Sequence, residues 1–504
     1  MMSIEELDVL IVGAGISGIG AACHMRMKAP DRSFAIVEGR GQKGGTWDLF
    51  KYPGVRSDSD MHTLGYVFKP WTHEKSIADA PSILQYLHDT AQEFDVESSI
   101  RYNHRVTKIE WSSEDARWTA TISTGEGQIT QIRCRFLHMC TGYYSYSEPY
   151  QPEFPGREAF RGEVFHPQFW PENLEWNNKK VVVIGSGATA VTIVPAMAMN
   201  GAKHVTMLQR SPTYFATRPA KDRFANILRK ILPETAAYAI TRFKNIKMQQ
   251  MVFNKSMKKP EKVRDLLIGQ VVKELGTDYD VKTHFTPRYN PWDQRLCLVP
   301  DSDMFVAMRS GKADVVTDTI ERFTESGIEL KSGKVLEADI IITATGLKME
   351  IMSGVEMLID GAHRRIGQTF SYKGCMYSDV PNLASSFGYS NASWTLKADL
   401  ISAYVCRLLN HMRDTGTDIC VAQPKGVNES EQGMMNLSSG YIERAKGLVP
   451  MQGDIDPWIV HHDYPADKKL MRYGKLEDGA LRFYKRDDFG VAQSSEPELA
   501  IAAE

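Results

Sequence analysis

Short apolar runs that end in glycine-rich turns punctuate the chain twice. Leu7–Val12 is apolar, and Gly13-Ala14-Gly15-Ile16-Ser17-Gly18 follows it at once. This pattern predicts a strand, a tight turn and a helix over Ile19–Lys28 that ends near Pro30, then a second strand, Ser33–Val37, leading into Glu38. The series returns at Lys180–Ile184, Gly185-Ser186-Gly187-Ala188-Thr189-Ala190 and the strand Val205–Leu208. Both units close alike, Phe136–Cys140 running into Thr141-Gly142 and Ile340–Ala344 into Thr345-Gly346. Before each closing strand lies a β-rich stretch, His104–Thr124 or Val315–Leu336. Such a repeat predicts an α/β chain with two dinucleotide-binding, Rossmann-like domains.

The second unit is the longer, and an insertion at Arg218–Tyr289, rich in helix formers, accounts for the excess. Within it Phe224, Ile227, Leu228, Ile231 and Leu232 follow i, i+3, i+4, i+7, i+8 spacing, an amphipathic face. Arg218 to Arg264 holds 13 Lys/Arg against 3 Asp/Glu. A solvated helical cap is the favoured reading; a peripheral membrane or anionic-substrate surface is the sharper one. The expected organisation is a discontinuous first domain (1–150 and 346–504, with a C-terminal tail), an inserted second domain (151–217 and 291–345) and a helical insertion at 218–290. The last residues, 494–504, read as a frayed terminus.

The glycine turns carry chemistry. Gly13 permits the tight turn, Gly15 lets a pyrophosphate approach the backbone, and Gly18 lets helix and strand pack closely. The helix N-terminus then offers unpaired N–H groups to phosphate. Glu38 is 20 residues beyond Gly18, where a carboxylate can hold a ribose hydroxyl. In the second unit Ala190 replaces the third glycine, and the acidic position is replaced by Gln209-Arg210-Ser211. A cation and a hydroxyl there suit a 2′-phosphate, so the second site is expected to take NADP rather than NAD.

Composition narrows the field. The 504 residues include 60 Lys+Arg and 62 Asp+Glu, a formal charge of −2, which gives no whole-chain footprint for nucleic acid. Seven cysteines form no C-x-x-C pair and no Cys/His cluster at zinc spacing, so neither a metal site nor a disulfide framework is expected. The leader MMSIEE is acidic, no A-x-A cleavage site follows, and no uncharged apolar run could span a bilayer. A soluble, cytoplasmic protein is the expectation; the sequence leaves oligomeric state open.

Two nucleotide sites of different preference imply electron traffic between two cofactors. NADPH delivers hydride, and a flavin, FAD at the first site, is the natural acceptor. Electrons then pass to a disulfide or to dioxygen. Gly44-Gly45-Thr46-Trp47-Asp48, where a disulfide reductase of this architecture would carry its redox cysteines, has none, which favours dioxygen.

Phe160-Arg161-Gly162-Glu163-Val164-Phe165-His166-Pro167-Gln168-Phe169-Trp170-Pro171 fits F-x-G-x-x-x-H-x-x-x-W-P, just before the second glycine turn. The chain thereby resembles the type I Baeyer–Villiger monooxygenases, most of all their ethionamide-activating branch. The likeness extends through GGTWDLFKYPGVRSDSDMHTLGY, YNPWDQRLCLVP and SNASWTLKADL. It implies that Ser17, Glu38, Thr46, Trp47, Asp48, Leu49 and Asp58 lie about FAD, with Val106 a backbone contact. It places Arg56, Ser57, Asp58, the run Ser186, Gly187, Ala188, Thr189, Ala190, Val191, Thr192, and Arg210 with Ser211 about NADPH. Arg295 stands where the family has its active-site arginine, with Asp58 the carboxylate expected to face it. Gln294 departs from the lysine of better-known relatives, which puts more of the 2′-phosphate grip on Arg210.

The implied reaction inserts one oxygen atom of O2 into a ketone through a C4a-peroxyflavin, giving an ester or lactone, with sulfides or thioamides as further substrates. A fixed guanidinium would stabilise the anionic peroxide and the alkoxide that follows. A flavin-containing S/N-monooxygenase, or an uncoupled NADPH oxidase or redox sensor, remains as an alternative. His166 reads as a hydrogen-bonded positioning residue between the nucleotide domains, and Cys297 as packing. Trp47, Trp71, Trp292 and Trp394 could line a pocket, although aromatics so placed are usually core.

Overall fold

The structure, a computed structural model, describes residues 4–125, 127–294, 296–435 and 440–489. The first strand, Glu5–Val12, lies between Phe34–Val37 and Ile129–Met139, parallel to both. Its side chains alternate between two cores. Val9 and Ile11 enter one with the helix Ile16–Lys28, while Leu10 and Val12 enter another with Trp111, Trp118 and Ile122. Burial on both faces explains why the second half of this strand, residues 9–12, is uninterruptedly apolar rather than alternating.

His104–Ser112, Arg117–Thr124 and Ile129–Met139 form an antiparallel meander at one side of this sheet. The C-terminal part of the chain returns to it: Glu356–Ile359 pairs parallel with the first meander strand, and Leu383–Ser385 with the last. The helix Trp394–Thr415 then covers Ile16–Lys28. One domain is thus assembled from both ends of the chain.

The second sheet is all parallel, in the order Ala313–Thr317, His204–Gln209, Lys180–Ile184, Ile340–Thr343, Glu163–Phe165. Lys180–Ile184 repeats the arrangement of the first strand, with Val181 and Val183 in one core and Val182 and Ile184 in another. Between the domains the chain crosses twice, and the two crossings, Tyr144–Pro149 and Leu347–Met349, pair antiparallel.

The insertion is helical, as expected: Arg223–Ile231, Glu234–Lys258, Pro260–Leu275 and Val281–Phe285. One sequence expectation needs correction. The first helix begins at Ile16, inside the glycine motif, rather than at Ile19, because Gly15 is already extended and serves as its N-cap. The apolar stripe of Arg223–Ile231 does not face a core: Phe224, Ile227 and Ile231 are exposed. The expected frayed terminus, 494–504, lies outside the described residues.

Candidate functional site

The first glycine turn is set by backbone geometry. Gly13 has φ +103°, and a Cβ there would sit 2.6 Å from the Cys140 carbonyl oxygen; one on Gly18 would sit 1.8 Å from the Gly13 carbonyl oxygen. The turn therefore holds helix and strand in direct backbone contact. Gly15 caps the helix without a side-chain hydrogen bond, so the first-turn amides keep their donors for a ligand.

Beside this turn lies a cavity of about 440 Å3. Gly13, Gly15, Ser17, Glu38, Thr46, Trp47, Arg56, Ser57, Asp58 and Val106 line it, joined by Ala188 of the second glycine turn and Thr192 of the helix that follows it. Glu38 is buried; its Oε2 accepts from the Ala14 amide at 2.8 Å and its Oε1 from the Arg40 amide at 2.9 Å. Burial raises its carboxyl pKa, and these two amides pull it back down. Ser17 Oγ accepts from Trp394 Nε1 at 2.8 Å, and Trp394 stacks on Tyr143 with ring centroids 5.4 Å apart. Thr46 Oγ1 is 2.5 Å from the Tyr144 hydroxyl. Arg56 pairs with Asp303, at the start of a helix of the second domain, and Ser57 Oγ donates to the Ser59 carbonyl at 2.8 Å.

Three residues expected at the flavin stand apart from the lining. Gly18 lies beneath the turn. Asp48 pairs with Arg40 at 2.6 Å and Lys51 at 3.0 Å, and Leu49 packs against the core of the second domain. Arg295 lies outside the described residues.

In the second turn Gly187 caps the helix Ala188–Met199, again without a side-chain cap, and a Cβ on it would meet no atom within 4 Å. Ala190 and Val191 are core. Thr189 hydrogen-bonds the Tyr52 hydroxyl, whose pKa burial pushes up to about 12. Ser186 Oγ donates to the Ser211 carbonyl at 3.2 Å, which sets the exposed Arg210 and Ser211 beside the turn. The residues present fit FAD and a second dinucleotide: two uncapped helix N-termini, glycines under steric compulsion, and one acidic and one basic ribose position.

Comparison with known proteins bears directly on this arrangement. Residues 10–273 match the family described as pyridine nucleotide-disulphide oxidoreductase. The FAD-containing monooxygenase EthA of Mycobacterium tuberculosis is 51% identical over 482 residues, covering 96% of this chain and 98% of that protein. The chain belongs to the FAD-containing monooxygenases. The probable FAD-binding monooxygenase AlmA of Acinetobacter baylyi is 48% identical over 496 residues, covering 98% of this chain and 99% of that one. In fold, the monooxygenase matches an oxidized steroid monooxygenase bound to NADP, with TM-score 0.76 at 21% identity over 95% of this chain and 100% of the other. It also matches an ε-caprolactone-bound cyclohexanone monooxygenase, with TM-score 0.71 at 18% identity, again over 95% and 100%.

Some of the monooxygenase's cavity residues escaped the sequence reading. Tyr143, Tyr144 and Tyr146 directly follow Thr141-Gly142, so the closing turn was a usable signal; Tyr52, Glu350 and Ser353 carry none. Trp47, expected at the flavin, and Trp394 line the cavity, whereas Trp71 is core, its Nε1 donating to the Lys75 carbonyl at 2.8 Å. Trp292 meets Phe253 edge-on. His166 Nδ1 accepts from the Gln168 amide at 3.1 Å and its Nε2 is 3.0 Å from the Gly346 carbonyl oxygen, so the neutral ring ties the fingerprint to the inter-domain crossing. Burial lowers its pKa to about 4. All seven cysteines are buried and none is in a disulfide, and no group of three potential metal ligands occurs among the described residues.

Proposed function

We propose that this FAD-containing monooxygenase uses NADPH and O2 to convert ketones into esters or lactones, and oxygenates sulfides or thioamides in the same pocket. The observation that carries the reading is the shared cavity: residues of both glycine turns line one space, so two dinucleotides can meet there. One oxygen atom enters the substrate, and the other leaves as water with the two electrons of NADPH. FAD, when bound, supplies hydride acceptance and oxygen activation.

The chain's own residues then have defined tasks. Glu38 holds a ribose hydroxyl, and the amides behind Gly15 face pyrophosphate. Ser17, Thr46, Trp47 and Val106 shape the flavin bed, with Asp48 and Leu49 fixing its outer segment. Arg56 and Ser57, with Ser186–Thr192, seat the second dinucleotide, and Arg210 with Ser211 selects the 2′-phosphate. Arg295, with Asp58 as counter-charge, stabilises negative charge that develops on oxygen, a role carried over from the family resemblance. We place the enzyme in the cytoplasm, with membrane contact confined to the helical insertion.

Incubation with NADPH, ¹⁸O₂ and a panel of ketones and a sulfide tests the reading by mass spectrometry. Labelled ester or lactone is the expected product. Labelled sulfoxide alone would transfer the enzyme to the S-oxygenases. Peroxide without labelled product, across ketones of graded size, would overturn the oxygenase reading.

A further inference from the structure

The long helix Glu234–Lys258 has two faces of opposite purpose. Tyr238, Arg242 and Asn245 are buried against the His62–Tyr66 segment: the Tyr238 hydroxyl donates to the Tyr66 carbonyl at 2.8 Å, and Arg242 Nη1 donates to the His62 and Gly65 carbonyls at 2.9 and 2.7 Å. On the other side Ile240, Phe243, Lys247, Met251 and Lys258 recur at spacings that return to one stripe. That stripe faces solvent, with Phe243 66% and Met251 64% exposed. The preceding helix adds Ile227, 60% exposed, and Ile231, 70% exposed. Lys244 Nζ lies 4.5 Å from the Phe224 ring centroid, which brings the two helices' exposed residues side by side.

An apolar surface of this kind, interleaved with cations, is costly in water unless something covers it. Lys244 is paired with Asp222 at 3.0 Å, but Arg223, Lys230, Lys247, Lys255 and Lys258 carry no ion pair among the described residues. A second copy of the chain is a poor cover. A two-fold contact would set the strongly basic segment Arg218–Arg264, with 13 Lys/Arg and 3 Asp/Glu, against itself. No helix among the described residues is long and apolar enough to cross a bilayer, so insertion through it does not answer the exposure either.

We propose that helices 223–231 and 234–258 form a docking surface for anionic phospholipid bilayers. Ile227, Ile231, Phe243 and Met251 enter the headgroup boundary while Lys230, Lys247, Lys255 and Lys258 meet lipid phosphate. The buried face of the same helix stays on the flavin domain, so the enzyme lies on the membrane as a whole and apolar substrates reach it from the lipid phase.

Co-sedimentation of the full-chain holoenzyme with vesicles tests this without turnover, so its outcome is independent of the oxygenation chemistry. Binding is expected to vesicles in which about a third of the lipid is phosphatidylglycerol, with release by high salt. Pure phosphatidylcholine vesicles should retain little. The variant carrying Ile227→Ser, Phe243→Ser and Met251→Ser should lose most of its binding while keeping its flavin content and basal NADPH oxidation. The variant carrying Lys247→Glu, Lys255→Glu and Lys258→Glu should lose the preference for phosphatidylglycerol. Equal sedimentation of the parent protein with and without vesicles would overturn the proposal. So would a dimer in analytical ultracentrifugation that the serine variant abolishes, which would assign the face to a second copy.

Discussion

Gly18, the third glycine of the first turn, and Gly187, the second glycine of the second turn, have opposite surroundings. A methyl on Gly18 collides with backbone at 1.8 Å, whereas one on Gly187 enters open space. Gly18→Ala is therefore expected to cost about 3 kcal/mol, because helix and strand cannot both keep their places, and to yield protein depleted of flavin. Wild-type melting temperature and flavin absorbance in that variant would contradict the account. Gly187→Ala should leave the melting temperature unchanged but raise the NADPH KM, since its open space is what a pyrophosphate would fill. Arg210→Ala should raise the NADPH KM by about 10- to 100-fold, the worth of a charge-assisted hydrogen bond, and leave NADH kinetics untouched. Unaltered NADPH kinetics would remove Arg210 from the 2′-phosphate site. These residues were legible because their spacing states their geometry. Glu350 and Ser353 were not, since they reach the cavity only through a tertiary crossing that no local pattern marks.

Among the elements, the helix Glu234–Lys258 bears on the site most directly. It holds the segment that follows Asp58 through Arg242, which is buried, donates to the His62, Thr63 and Gly65 carbonyls and has Asp399 Oδ2 at 3.7 Å. Asp399 is itself buried, and the neighbouring cation and hydrogen bonds hold its pKa below the usual carboxylate range although burial opposes them. Arg242→Met leaves that carboxylate with His24 and the Val67 amide alone. Loss of one partner of a buried pair costs about 3–5 kcal/mol, and calorimetry should show it as a lower Tm. Arg242→Lys should recover part of it. A melting temperature in Arg242→Met equal to the parent's would show that the helix does not brace the segment. The repeated strands and turns could be read from periodicity because each strand is buried on both faces. The spacing of apolar residues in Arg223–Ile231 marks an amphipathic helix, but periodicity reports that a helix has two faces and not which one meets protein.

For the molecule as a whole, acid sensitivity follows from histidines that the fold keeps neutral. Burial lowers the pKa of His138 from 6.5 to about 3 and that of His166 to about 4, and lowers His24 as well. In the unfolded chain these rings take up protons near 6.5, whereas in the folded protein His138 and His166 stay neutral until pH falls toward about 3 and about 4. Their contribution to stability is therefore complete above that unfolded value and is lost as pH falls toward the folded values. At pH 5, about 2 kcal/mol should be gone for each of His138 and His166. Glu38, whose pKa is raised, works in the opposite sense, since its protonated form is the one the fold favours. Chemical denaturation followed from pH 7.5 to 5 should thus show falling stability, with a slope to which His138 and His166 together contribute the uptake of about two protons on unfolding. Among the described residues, the His138 ring has its polar contact with Ser386 Oγ, at 3.0 Å. Replacing it by asparagine, which cannot take up a proton, should lower that slope by about one proton whatever it does to the stability itself. An unchanged slope would mean that the unfolded chain, or another buried group, governs the acid limit.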